Sequence, residues 1–341
     1  MGAPEFRRNA SPGSTYSASQ VTAWLRRLGL PTTYQKYVDD PTAIPKSYEA
    51  LELLFKSQIT VFPYENLTVH YSSSHLVNIK PELLYSKMMD TNRGRGGYCM
   101  ELSIFFHHML RGLGFRVIMT GVRNRTRTDG VPDGEYQGWT HINNIIYLPD
   151  GTKYSADVAF GGDGPTAPLP MYDDARIHQN LGSQQVRLVH DNIDKQQLTE
   201  PRLWIYQYRN GQEKQWNSFY SFAELEFFQE DFEVQNWWAC AHTLHRWTVL
   251  VVRFLREGEL VQYTEGSEQT NRAAEAADDV RIVGKVMLVN NLVKVNMGGK
   301  TQVVCELKSE AERVAALKTY FNITLLDGEV SAIYGWDMAL A

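Results

Sequence analysis

The sequence predicts an α+β protein in which a helical N-terminal part gives way to a strand-rich remainder. Three observations carry that reading. Leu102, Phe105, Phe106, Met109, Leu110 and Leu113 recur at the spacing of an amphipathic helix facing a core. Beyond Gly114 the texture becomes β-branched, beginning with residues 115–122. Two further apolar runs, 140–148 and 152–160, flank Pro149-Asp150-Gly151. That is a turn with a mechanism: proline presets φ, aspartate tolerates the bridge region and glycine takes φ > 0. At 341 residues the chain exceeds one usual core, which suggests two or three domains of roughly 100–150 residues each.

In order, residues 1–14 read as a disordered arm or cloning remnant and are left out of the fold. Val21, Trp24, Leu25 and Leu28 form one face of a short helix closed by Gly29. A second helix spans about 47–60 and ends before Phe62-Pro63, because proline disfavours helix in its predecessor. A third, at about 81–89, leads into Gly94, Gly96 and Gly97, whose freedom permits a tight approach to Cys99. Residues 15–114 therefore read as a helical domain carrying Cys99, and the helix that follows this cysteine stops near Gly112 and Gly114. Strands are expected at 115–122, 140–148, 152–160, 204–209, 216–222, 281–289, 292–297 and 302–307. Ser309-Glu310-Ala311-Glu312 is a capping box opening a final helix through about 321. Segments 163–200 and 264–279 look like insertions or linkers.

A net charge of −5 gives no electrostatic footprint for nucleic acid or a membrane surface. The cluster Arg123, Arg125 and Arg127 reads as a solvated loop. Three scattered cysteines, Cys99, Cys240 and Cys305, make neither a disulfide framework nor a metal knuckle. They imply a reducing, cytoplasmic setting. No run of 18 apolar residues and no signal pattern is present, so no membrane partner is expected, and the sequons at Asn66, Asn124 and Asn322 are chance matches.

Cys99 falls in the first turn of its helix, where unpaired N–H groups favour an anion and a lowered thiol pKa. It also lies on the apolar face, as a small buried hydrophobe would. Partners decide between the two. A three-residue hairpin loop pairs residues whose numbers sum to 300. His141 and Asp157 are then diagonal neighbours on one face, with Cα atoms about 7–8 Å apart. A two- or four-residue loop would put them on opposite faces. Cysteine, histidine and aspartate are the parts of a thiol acyl-transfer site, although a histidine at a strand start or an aspartate at a strand end is ordinarily structural.

Arg-Gly-Gly-Tyr-Cys-x-Glu-Leu at 95–102, Phe-Pro-Tyr-Glu-Asn-Leu at 62–67, Thr-His at 140–141 and Asp-Val-Ala-Phe-Gly-Gly at 157–162 occur in one order, with Phe227-Phe228-x-x-Asp231-Phe232-Glu233 downstream. Together they resemble the arylamine N-acetyltransferases, fungal members included, over about 16–324. The resemblance implies a helical N-terminal domain, a central β-barrel at 115–215 carrying histidine and aspartate, and an α/β lid at 216–341, around a cysteine-protease-like Cys-His-Asp core. It carries the nucleophile onto Cys99, the base onto His141 and the orienting acid onto Asp157. It further implies ping-pong transfer of an acetyl group from acetyl-CoA, or another short acyl-CoA, through a cysteine thioester to an arylamine or hydrazine, with no metal. Tyr98, Thr140 and Phe160 match the acceptor side; Gly138, Gly161, Gly162 and Trp238 match the CoA side; Arg95 and Glu65 pair to hold the loop.

One stretch departs from the family pattern. After Asn236-Trp237-Trp238, where a hydroxyl-rich segment with a proline is usual, the chain reads Ala239-Cys240-Ala241-His242-Thr243-Leu244. This opens the donor pocket to an altered acyl group, and some fungal relatives use malonyl-CoA. A papain- or transglutaminase-like hydrolase, with the same three side chains, and a non-catalytic binding module are the alternatives.

Overall fold

The computed structural model describes residues 13–128, 130–259 and 279–341. Helix α1 (Ala18–Leu28) opens with Ser17 capping the Gln20 N–H and closes on Gly29 at φ 61°. Its buried Trp24 donates to Gln58 of α2 (Tyr48–Val61) at 2.9 Å. Ahead of Pro63 the chain leaves the helix for the two-residue strand β1 (Tyr64–Glu65) and the short helices α3 (Leu67–His70) and α4 (Pro81–Tyr85). The expected helix at 81–89 is α only through Tyr85 and then widens into a π turn over Ser86–Asp90. That bulge aims Lys87 at Glu65 and Glu101. Helix α5 (Cys99–Gly112) buries Met100, Ile104, Phe105, Phe106, Met109 and Leu110 and is the axis of the N-terminal part.

Strands β2 (Arg116–Arg125), β3 (Tyr136–Tyr147), β4 (Lys153–Ala156), β5 (Leu169–Pro170), β6 (His178–Gln179), β7 (Gln184–Asp191), β8 (Leu203–Asn210) and β9 (Asn217–Phe222) form one antiparallel sheet in the order β5-β4-β3-β2-β9-β8-β7-β6. The sheet curls into a nearly closed barrel. Its edges are tied by Asn180, which accepts from the Thr166 N–H at 2.8 Å and donates to the Gly164 carbonyl at 3.2 Å. Helices α6 (Gln229–His242) and α7 (Leu244–Trp247) follow. The last part is a second sheet, β1-β10-β11-β12-β13, made with β10 (Leu250–Arg256), β11 (Ile282–Val289), β12 (Leu292–Asn296) and β13 (Gln302–Glu306). It is packed by α8 (Glu310–Phe321) and followed by α9 (Asp327–Ala332).

The structure differs from the sequence reading in several places. Segment 163–200 is not a linker, because it supplies β5, β6 and β7. In β7 the core-facing Val186 and Leu188 are hidden among glutamines and arginine, which disguised the alternation. Strand β9, assigned to the lid, hydrogen-bonds β2 and β8 inside the barrel sheet. Helix α8 is not the last, since α9 follows it. The arginines of 123–127 are not a free loop: Arg123 stacks on Trp139 at 3.8 Å, and Arg127 pairs with Asp163 at 2.8 Å. The stretch 264–278 and residues 1–12 lie outside the described residues.

Candidate active site

Backbone contacts build the approach to Cys99. The Glu65 N–H donates to the Gly97 carbonyl at 2.9 Å, and the Gly97 N–H donates to the Pro63 carbonyl at 3.3 Å, so the 62–67 motif and the glycine loop lie side by side. A Cβ on Gly96 would stand 1.9 Å from the Pro63 carbonyl oxygen, which only glycine allows. Tyr98 then takes the N-cap position and Cys99 the first helical one, with Glu101 accepting from the Tyr98 N–H at 3.0 Å.

Beneath the loop is a buried charge network. Arg95 donates to Glu65 at 3.0 Å and to Glu329 at 2.8 Å, while Lys87 reaches Glu65 at 3.0 Å and Glu101 at 2.8 Å. The expected Arg95–Glu65 pair is present and fully interior. Burial alone would raise the Glu65 pKa, but Arg95 and Lys87 outweigh it and hold the carboxyl at about 2.

The hairpin register is the one its three-residue loop demands: Asn144 faces Ala156 and Tyr147 faces Lys153. His141 on β3 and Asp157 just beyond β4 consequently meet, with Nε2 donating to Oδ2 at 2.8 Å. The other carboxylate oxygen accepts the Ala159 N–H at 3.0 Å, which fixes the acid. Cys99 is 2% exposed, close enough for the Asp157 charge to act on its sulfur. Among the described residues no hydrogen bond joins sulfur and imidazole.

The thiol itself departs from expectation. Burial, and then the charge of Asp157, push its pKa up, and only the Met100 N–H at the helix start pulls it down. The helix terminus alone does not yield a thiolate.

A cleft of about 830 Å³ runs between the start of β3 and α6, lined by Gly138, Trp139, Thr140, Phe227, Trp238 and Thr243 among others. Gly138, Thr140 and Trp238 thus share one cavity, whose lining does not include Cys99, His141 or Asp157. Other matched residues lie elsewhere. Tyr98 is wholly buried and its hydroxyl donates to Asn236, so it lines no cleft as it stands. Phe160 packs against His141 at 5.3 Å and in the barrel core against Phe219 and Tyr220. Gly161 and Gly162 form a turn against Tyr64 and Lys285, away from the cleft, with the Gly162 carbonyl accepting from Lys285. Sequence reasoning gave no role to Lys87, Glu101, Glu329, Tyr64 or His245, although Tyr64 and Glu101 lie inside the quoted motifs and Glu101, three residues after the N-cap, carried a local capping signal.

A barrel-and-helix fold thus brings a buried Cys99 near the His141–Asp157 pair, the side chains that a thiol acyltransferase would need. The profile of the N-acetyltransferase family matches residues 47–283, and the chain belongs to that family. It is an acyl-CoA-dependent N-acyltransferase. The chain is 27% identical over 338 residues to the N-malonyltransferase FDB2 of Fusarium pseudograminearum, covering 93% of this chain and 92% of that protein. It is 28% identical over 250 residues to the arylamine N-acetyltransferase / N-hydroxyarylamine O-acetyltransferase of Salmonella typhimurium, covering 71% and 79%. The solved arylamine N-acetyltransferase from Salmonella typhimurium shares the fold with a TM-score of 0.70 at 22% identity, over 94% of this chain and 99% of that one. The Mycobacterium marinum enzyme in complex with CoA does so at 0.67 and 22%, over 93% and 99%.

Proposed function

We propose that Cys99 is the acyl carrier, His141 its proton partner and Asp157 the group that orients and stabilises the imidazolium. The observation that carries this is the 2.8 Å His141–Asp157 bond, which commits Nε2 and leaves Nδ1 for the sulfur. His141 takes the thiol proton and the thiolate adds to the thioester carbonyl of the acyl-CoA. The tetrahedral intermediate then expels the CoA thiolate, which takes that proton back from the imidazolium. An aromatic amine or hydrazine adds next to the acyl-cysteine and gives its proton to His141, and the cysteine thiolate leaves to be reprotonated. Such an amine suits the second half because it is neutral at pH 7 and keeps its lone pair. The cleft at Gly138, Thr140 and Trp238 is the approach for the CoA arm, and acetyl and malonyl are the donor groups in play.

The test is a matrix of acetyl-, propionyl- and malonyl-CoA against anilines and 2-aminophenol, with Cys99→Ser as control. Strong stimulation of CoA release by the amine, absent in a folded Cys99→Ser, supports the reading. CoA release that ignores the amine would favour a hydrolase, and none at all would remove Cys99 from its role.

A further inference from the structure

His245 sits beside the triad and the mechanism above does not use it. It lies in the first turn of α7, immediately after the segment that departs from the family pattern. Its place is fixed: its N–H donates to Thr243 Oγ1 at 3.3 Å, and its carbonyl accepts from Asn66 at 3.2 Å. The residue is 6% exposed, its ring edge-on to Tyr98 at 5.0 Å, with Nε2 3.5 Å from the Tyr64 hydroxyl. Tyr64 feels the charge of both Cys99 and Asp157, which places it in their neighbourhood. Nδ1 of His245 is buried and has no hydrogen-bond partner among the described residues. A buried polar atom without a partner is costly, and its retention beside a catalytic centre points to a ligand that completes it.

We propose that His245 is a donor-specificity residue whose Nδ1–H binds the free carboxylate of a malonyl group carried on Cys99. This rests on the assignment of Cys99 as acyl carrier. A malonyl thioester hangs its carboxylate from the methylene next to the reacting carbonyl, so the charge arrives close to the sulfur, where it needs a proton donor or it will not be buried. The cations nearest the nucleophile's loop are committed: Arg95 to Glu65 and Glu329, Lys87 to Glu65 and Glu101. In the tautomer where the Tyr64 phenol donates to Nε2 across 3.5 Å, the ring proton of His245 sits on Nδ1, and this is the form the proposal requires. Burial first, then His141, push the His245 pKa down to about 3, so the resting ring is neutral and carries no uncompensated charge. An incoming carboxylate is stabilised by the Nδ1–H and in turn favours the imidazolium. An acetyl group leaves the atom unpaired.

The experiment uses the full chain with malonyl-CoA, acetyl-CoA and acetoacetyl-CoA, the last an uncharged mimic of malonyl in shape, at fixed 2-aminophenol. In wild type, kcat/KM for malonyl-CoA should exceed that for acetoacetyl-CoA. His245→Phe should cut the malonyl value about 10- to 100-fold, the range expected for a hydrogen bond to a charged group, and change the acetyl value less than about threefold. His245→Asn, which keeps an N–H donor at the same reach as Nδ1, should recover part of the malonyl activity. A wild type that uses acetyl-CoA as well as malonyl-CoA, or equal losses with all donors in both variants, overturns the proposal while leaving the acyltransfer reading intact. No transfer from any donor by wild type would overturn that reading itself.

Discussion

Arg95 and Glu329, 234 residues apart, meet at 2.8 Å, so the loop that delivers Cys99 is tied to the C-terminal helix α9. The same carboxylate pairs with Arg93, whose carbonyl accepts from the Thr324 N–H at 2.9 Å. Glu329→Ala should destabilise the protein by about 1–2 kcal/mol and lower kcat, with KM for the acyl-CoA unchanged because the residue is remote from the cleft. Thermal melts and steady-state kinetics check it; a raised KM with normal kcat would contradict it.

Glu65→Gln tests the network by its pH dependence. The folded carboxyl titrates at about 2 against an ordinary value of 4.5. A depressed folded pKa means stabilisation that is complete above 4.5 and is lost as pH falls through about 2. Removing one partner of a buried pair costs about 3 kcal/mol or more. Urea melts should show that gap at pH 7, shrinking from pH 4.5 downward. A gap that does not vary with pH would assign the effect to packing instead.

Because burial and Asp157 push the Cys99 thiol up, its reactivity should depend wholly on His141. Iodoacetamide should label Cys99 faster than Cys240 or Cys305 near pH 7 in wild type. In His141→Gln that advantage should vanish and return only in strongly alkaline solution. Rapid labelling at pH 7 in the variant would show that the helix terminus ionises the thiol unaided.

Two glycines should respond in opposite ways. Gly96→Ala drives a Cβ to 1.9 Å from the Pro63 carbonyl oxygen and should cost about 2–3 kcal/mol, with loss of activity. Gly138 has nothing within 4 Å of the added carbon and borders the cleft. Gly138→Val should keep the melting temperature and raise KM for the CoA donor several-fold.

What was legible in the sequence was local. The three-residue turn at Pro149-Asp150-Gly151 determined the β3–β4 register, and with it the meeting of His141 and Asp157, before any coordinates. The periodicity after Leu102 and the glycines before it likewise located Cys99 at a helix start. What stayed hidden depends on distant contacts. Glu329 has no pattern that points to Arg95. The polar face of β7 masked a barrel strand. The thiol pKa turned on burial depth, which a helix-terminus argument does not contain. Tyr98 looked like a pocket residue until Asn236, 138 positions away, claimed its hydroxyl.

Tyr64 and Glu65 answer to two neighbours at once: Val252 and Val251 of the C-terminal sheet on one side and Gly97 on the other. The N-terminal and C-terminal parts of the chain are therefore sewn together at a seam two residues long, and they are not interchangeable modules. A C-terminal third grafted from a homologue would have to reproduce that stitch in register, or the cysteine would lose its alignment even with every catalytic side chain retained.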